Sequence, residues 1–169
     1  MVTGLETYVP SIKVELMDEK KNPLKTLPEE DIVNLVIEED LEDPGMFIIS
    51  LNDIMDLDTQ KHRWSEDTDT QPGNTVKISI GFVSDPERKI HSFIGRIRSI
   101  GTNEEGSGAI IELRGYDLAY DLKKKDTPGL IYNDKKYSDI ATEIAGNNGL
   151  KTDKIETSTL TYQNITRYP

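Results

Sequence analysis

Apolar and polar residues alternate along much of the first 115 positions, and the phase of that alternation predicts where strands lie. Between Thr75 and Phe82, the residues Val76, Ile78, Ile80 and Phe82 fall on one face and Thr75, Lys77 and Ser79 on the other, the signature of a half-buried strand. The next run, His91–Ile100, alternates through Phe93, shifts across Ile94 and Gly95 and resumes at Ile97. A glycine at such a shift predicts a bulge or a sharp bend. Ala109–Gly115 follows the turn-rich residues 102–108, so the two runs should pair as an antiparallel hairpin. Upstream, Ser11–Leu16 predicts an opening strand that returns, after a polar turn at residues 18–22, through Leu24 and Leu27. Ile32–Glu39, rich in β-branched residues, and Gly45–Leu51, after the breaker at Pro44, predict two more strands.

Residues 56–74 form a connection of about 20 residues, longer than most loops of a compact domain, so local structure or packing on a neighbour is expected there. Leu118 and Leu122 stand one helical turn apart with lysines at 123–125, where cations suit the negative end of a helix, and predict a short helix over 117–123. After the break at Thr127, Pro128 and Gly129, Ser138 is the expected cap of a second helix with Asp139 in its first turn. Ile140, Ala141, Ile144 and Ala145 give it an apolar face, and Asn147–Gly149 stops it. Strongly bent antiparallel strands favour a barrel over a flat sheet. The fold class expected is therefore mainly β, a bent antiparallel barrel with short helices and a small α+β part.

At 169 residues the chain can bury a core without covalent staples. It has no cysteine and only His62 and His91, which removes thiol chemistry and nearly excludes sites built from several imidazoles; no metal or cofactor is expected. The net charge of −11 opposes binding to phosphate backbones. No apolar run approaches the roughly 20 residues that cross a bilayer, and the first residues lack the basic and apolar regions of a secretory signal.

Candidate chemistry is sparse. The acids Asp53, Asp56, Asp58, Glu66, Asp67 and Asp69 could offer oxygens to calcium, but they lack the Gly and closing Glu of a calcium loop and read first as a solvated acidic segment. Asp56 and Asp58 share a strand face, yet no cleft of aromatics accompanies them as a glycosidase would need. Trp64, beside Lys61, His62 and Arg63, reads as a partly buried ring closing one end of the barrel, with an interface anchor as the sharper alternative. His91 is assigned no role, and the lysines at 123–125 read as a helix end facing water. Gly73, Gly81, Gly95 and Gly115 read as backbone punctuation without a phosphate-cradling pattern.

Three pieces together resemble a known family. Trp64 followed by Pro72–Gly81 is the first, Phe93–Ile97 with its central Gly95 the second, and Leu113–Asp117 with Leu122, then Ser138–Ala141 through Gly149 and Leu150, the third. The last, a Gly115, Tyr116, Asp117 turn followed some twenty residues later by a capped helix carrying Asp139, is the most specific. The pattern is similar to phage late-control protein D, the baseplate hub of contractile tails, and to the hub part of type VI secretion spike proteins. It covers about residues 45–150, and residues 11–40 fit by order and length. The resemblance implies a tail-tube-like barrel over residues 1–122 and part of an α+β insertion over 123–169, the family's second barrel having no room after Leu150. The alternation that starts near Leu160 stops at Pro169 without a closing strand, so the sequence reads as cut short.

What the resemblance implies for function is structural and not catalytic. The chain would be a trimeric hub component joining the tail tube protein to the central spike protein, with other baseplate proteins around it. DNA or cargo would pass only through the bore, and no membrane insertion is implied. Its place would be the virion tail or the baseplate of an injection apparatus, assembled in the bacterial cytoplasm. Strands 11–17 and 89–100 are then the candidate edges for contact between subunits. A free-standing β-barrel module binding peptide or oligosaccharide is the alternative, and a lytic enzyme with two carboxylates of split pKa a third.

Overall fold

A computed structural model of the chain describes residues 9–83, 90–103, 109–124 and 131–166. The chain divides into two compact units, Met1–Asp117 and Leu118–Pro169.

The first unit is built on one antiparallel sheet with a separate two-stranded stub. Its strands are β1 (Pro10–Met17), β2 (Pro23–Leu27), β3 (Ile32–Glu38), β4 (Met46–Asn52), the two-residue β5 (Met55–Asp56) and β6 (Lys61–His62), β7 (Thr75–Phe82), β8 (His91–Asn103) and β9 (Ile110–Asp117). Seven of these form one sheet in the order β2-β1-β7-β8-β9-β4-β3, while β5 and β6 pair with each other. The two predicted hairpins are present, β1 with β2 and β8 with β9, whose connecting residues 104–108 lie outside the described residues, and the two further strands β3 and β4 also pair with each other. Charge follows register, since Glu15 stands opposite Lys77 on β7 and its carboxylate takes hydrogen bonds from Lys13 and then Lys77, which hold its pKa below the usual carboxylate range.

Chain geometry forces this sheet to curl. Seven strands laid flat at about 4.8 Å spacing would put β2 and β3 about 29 Å apart. A single 3-10 turn, Glu29–Asp31, joins them, and the five steps from Leu27 to Ile32 reach at most about 18 Å. The expected barrel is therefore present as a curled sheet, and the hydrogen-bond ladder does not close: β2 and β3 are its two ends. Strands β1 and β8 are interior, each paired on both sides, so the expectation that residues 11–17 and 89–100 form the edges is corrected. Inside the curl one apolar cluster draws on every long strand, with Val14, Leu16, Phe47, Ile49, Val76 and Ile97 all at 0% exposure.

The tightest packing in this core lies over two glycines. Phe47 stands opposite Gly115 on β9, and Gly115 lies opposite Ile97 on β8. A Cβ on Gly115 would sit 2.1 Å from the Arg96 carbonyl oxygen and 2.6 Å from two ring atoms of Phe47; one on Gly95 would sit 2.8 Å from the Phe47 and Phe93 rings and from the Tyr116 oxygen. The Phe47 and Phe93 rings meet edge to face with centroids 5.9 Å apart. Gly95 is thus an inward position in phase with Phe93 and Ile97, all three buried. The register irregularity falls between Ile97 and Ser99, so the bulge predicted at Gly95 is displaced toward the end of the strand. The sequence misled here because a glycine leaves an inward position without an apolar side chain.

The second unit holds α1 (Tyr120–Lys124), α2 (Tyr137–Asn147) and four two-residue strands, β10 (Ile131–Tyr132), β11 (Lys135–Lys136), β12 (Thr161–Tyr162) and β13 (Ile165–Thr166). β10 pairs with β13 and β11 with β12. The predicted break at residues 127–129 lies outside the described residues. Helix α2 starts before the expected cap: Lys136 is its N-cap, and Ser138 lies within the first turn, buried, donating its N–H to Ser158 Oγ at 3.1 Å. Asp139 is the third helical residue, and its carboxylate accepts the Lys136 N–H at 3.3 Å. The helix ends as predicted, with Gly149 at φ +67° and the Leu150 N–H returning to the Ala145 oxygen at 2.9 Å.

The packing over Gly115 yields a direct contrast. Gly115→Ala should cost about 3 kcal/mol or more in urea unfolding, at or beyond the upper end of ordinary overpacking, because the obstructing Arg96 oxygen belongs to the backbone. Gly101→Ala, whose Cβ would meet nothing within 4 Å, should stay within about 0.5 kcal/mol. Equal effects at the two positions would remove this account of the core.

Candidate functional site

The long connection between β4 and β7 is the most built feature outside the sheet. It begins at Asp53, whose N–H bonds to the Ala109 oxygen at 2.9 Å while its carboxylate, almost fully buried, turns back into the loop. Asp53 Oδ1 accepts the Trp64 N–H at 2.7 Å and the Ser65 N–H at 3.3 Å, and Oδ2 lies 3.3 Å from His62 Nδ1. One short acid thus folds eleven residues onto themselves, and the β5 and β6 stub fills the interval. Further on, Asp67 caps the 3-10 turn Thr68–Thr70 by accepting the Asp69 N–H at 2.9 Å, and the Thr70 hydroxyl donates to the Trp64 oxygen at 2.7 Å. Gly73 ends the connection at φ +106°, a conformation L side chains rarely adopt, and its N–H bonds to the Ile97 oxygen at 2.9 Å.

These bonds set Trp64 into the core cluster at 3% exposure. The Arg63 guanidinium and the Lys25 ammonium stand 5.1 Å and 5.6 Å from its ring centroid, within cation–π range. Both cations also reach the ends of the sheet. Arg63 pairs at 3.0 Å with Asp31, buried in the turn between β2 and β3, and Lys25 on β2 pairs with Asp67 and, at 3.3 Å, with Asp69. Burial works against the charge on Lys25, yet the hydrogen bonds to Asp67 and Asp69 outweigh it and hold its pKa above the usual lysine range. Connection 53–74 is therefore a strap: it leaves β4, anchors on β2 and on the turn before β3, and seats Trp64 beside Lys25 of β2.

The remaining predicted positions are dispersed. Asp117 closes β9 by exchanging bonds with Gly45: its carboxylate accepts the Gly45 N–H at 3.0 Å and its own N–H reaches the Gly45 oxygen at 2.8 Å. Tyr116 pairs with Met46 and Arg96, and Gly81 pairs with Ser11 near the far end of β7. Asp139 belongs to the second unit. Phe47, Asp31 and Lys25 were not singled out from sequence; a signal for Phe47 is an aromatic on a strand whose partners carry inward glycines, whereas Asp31 and Lys25 gain meaning only from tertiary contacts.

The acidic series does not converge. Asp53 serves backbone N–H groups, Asp67 and Asp69 serve Lys25, and Glu66 accepts the His62 N–H at 3.3 Å. Asp56 accepts the N–H groups of Thr59 and Asp58, which hold its carboxyl below the usual range and hence ionised at neutral pH. No group of three or more metal-ligating side chains lies together among the described residues. An open surface cavity of about 450 Å³ is lined by Ile54, Asp56, Thr59, Lys61, His62 and Arg63. His91 pairs with Glu39 at 2.9 Å. Among the described residues no helix is long and apolar enough to cross a membrane.

A family model described as the Alg8 N-terminal domain matches residues 25–169. None of the curated proteins matches. Among solved structures, the chain is similar to the 43 kDa tail protein of prophage MuSo2 from Shewanella oneidensis, with TM-score 0.63 and 17% identity over 94% of this chain and 43% of that one. A tail protein from Neisseria meningitidis MC58 gives TM-score 0.51 and 16% identity over 80% of this chain and 33% of that one. A chain of the lidded Francisella PdpA-VgrG complex gives 0.53 and 17% over 95% and 23%. The chain thus spans less than half the length of these proteins, and at such identities the likeness is one of fold. The family model carries another name than the late-control hub proteins, while the tail-protein side of the resemblance rests on the solved structures.

Removing the Trp64 side chain tests the strap. Trp64→Ala should lower unfolding stability by about 3–5 kcal/mol, the range for a buried aromatic. Trp64→Phe should cost much less, since the indole N–H has no acceptor among the described residues and its loss leaves nothing unsatisfied. Lys25 adds a pH signature. Its folded pKa is raised, so its stabilisation is fully present below the ordinary lysine value of 10.5 and fades as pH rises through the folded value. The stability difference between the parent chain and Lys25→Met should shrink above that pH in denaturant titrations; a difference constant with pH would show that the ion pairs do not hold the strap.

Proposed function

The chain belongs to the Alg8 N-terminal domain family, and from its fold we propose that it is a structural component of a contractile tail or a phage-derived injection apparatus. Its role is that of a baseplate hub element, working as a trimer between the tail tube protein and the central spike protein, with other baseplate proteins as neighbours. It acts without catalysis or cofactor, at the tail or baseplate.

One observation carries the reading. The chain is similar in fold to a prophage tail protein over 94% of its length. The physics suits a ring. A subunit that bears load between tube and spike needs a stiff core, which the Phe47 ring locked over Gly95 and Gly115 supplies, and surfaces fixed in place, which the doubly anchored strap supplies. The oligosaccharide alternative loses its best stacking group, because Trp64 is committed to the core.

Light scattering over a wide concentration range gives the test. The expected native mass is three times that of the chain, with ring-shaped particles in negative-stain images. A single-chain mass at every concentration would overturn the trimeric hub.

A further inference from the structure

The two ends of the curled sheet are unequal. Edge strands invite pairing unless blunted by proline, lysine, shortness or a bulge. β2 carries three of these devices, being five residues long with Pro23 at its start and Lys25 within it. β3 has neither proline nor lysine. Its one irregularity lies between Ile32 and Asn34, and from Asn34 to Glu38 the register with β4 is continuous. Leu35 and Ile37 pack on the core, so a strand added beside them would extend the core face, while Val33, 56% exposed, adds apolar surface at the strand start. Among the described residues β3 has a single strand partner.

Charge identifies what fits this edge. Residues 26–60 contain 11 acids and not one lysine or arginine, so this segment alone accounts for the net charge of −11. The rest of the chain balances, 20 acids against 20 bases. The acids bracket β3: Glu29 and Glu30 are exposed before it, Glu38 is its exposed last residue, and Glu39, Asp40, Glu42 and Asp43 are exposed after it. Glu39 shares its charge with His91, and Asp40 is kept ionised by backbone N–H groups, chiefly that of Glu42. Pairing of β3 with β3 of a second copy, antiparallel, would set the acids after one strand against those before the other, and like charges in register are destabilising.

We propose that β3 is a docking edge for an extended segment of a partner protein, one that alternates apolar and polar residues over about five positions and carries Lys or Arg at both ends. The backbone of β3 provides the ladder, Leu35 and Ile37 provide the surface for its alternate side chains, and the acidic brackets select its flanks. The inference does not rest on the hub reading, because it concerns a single chain.

A nine-residue peptide with Val and Ile alternating with Thr between two pairs of Lys tests it, against the same peptide with Glu pairs. The Lys peptide should bind about tenfold or more tightly by titration calorimetry, the factor a few exposed ion pairs supply, and that advantage should shrink in high salt. Backbone amides of residues 34–38 should gain hydrogen-exchange protection. In a Glu38→Lys, Glu42→Lys variant, which cuts the bracket charge from −7 to −3, the advantage of the Lys peptide should fall severalfold while binding still protects residues 34–38, an outcome that a misfolded variant could not produce. Equal affinity for the two peptides, protection gained on β2 instead, or concentration-dependent protection of residues 34–38 in the chain alone would each overturn the proposal, the last by making a second copy the occupant.

Discussion

The contact of the Phe47 ring with the backbone at Gly95 and Gly115 is what the rest of the first unit depends on. A seven-stranded sheet with side chains at every inward position would hold its strands too far from a facing ring to curl tightly. Glycines at 95 and 115 let the ring of β4 lie against β9 and β8 together, with the Arg96 oxygen only 2.1 Å from where a Cβ would be. The curl in turn brings β2 and β3 close enough for the turn at 29–31 to join them. Packing at one point on the inner face and the short connection at the rim are two expressions of the same curvature.

Curvature without closure leaves two separate sheet ends, and the strap ties β2 to the turn before β3 with polar chemistry. Asp31 and Asp53 are buried carboxylates, a costly feature unless each is paired or hydrogen-bonded. They receive Arg63 and the N–H groups around Trp64, so the residues that satisfy them are those that position the ring. The strap therefore couples the buried Trp64 ring to charged anchors through the same residues.

Strand positions were legible because their period of two survives in sequence: Val76, Ile78 and the β-branched run at 32–37 mark their strands unaided. The start of α2 was misplaced because Ser138 looks like a cap, while the actual first turn is set by the pairing of Lys135 and Lys136 with Tyr162 and Thr161. Which strands are interior was beyond reach, since β1 pairs with β7 across some sixty residues and alternation says nothing of partners. Trp64 could be suspected of closing an end of the sheet, but the anchors at Lys25 and Asp31 lie more than thirty residues away and carry no local signal.

The order of strands also sets an order of events at the ribosome. The hairpins of β1 with β2 and of β3 with β4 can form as soon as they emerge, but each has its second partner far downstream, β1 in β7 and β4 in β9. Closing such long loops is slow compared with hairpin formation. Until Asp117 has been made, Phe47, Ile49 and Leu51 lack the inner face they enter in the finished sheet, so the nascent chain carries these three core side chains uncovered for more than sixty residues of synthesis. The acids crowded around that strand then have a second use, as the solubilising flank of an unfinished sheet.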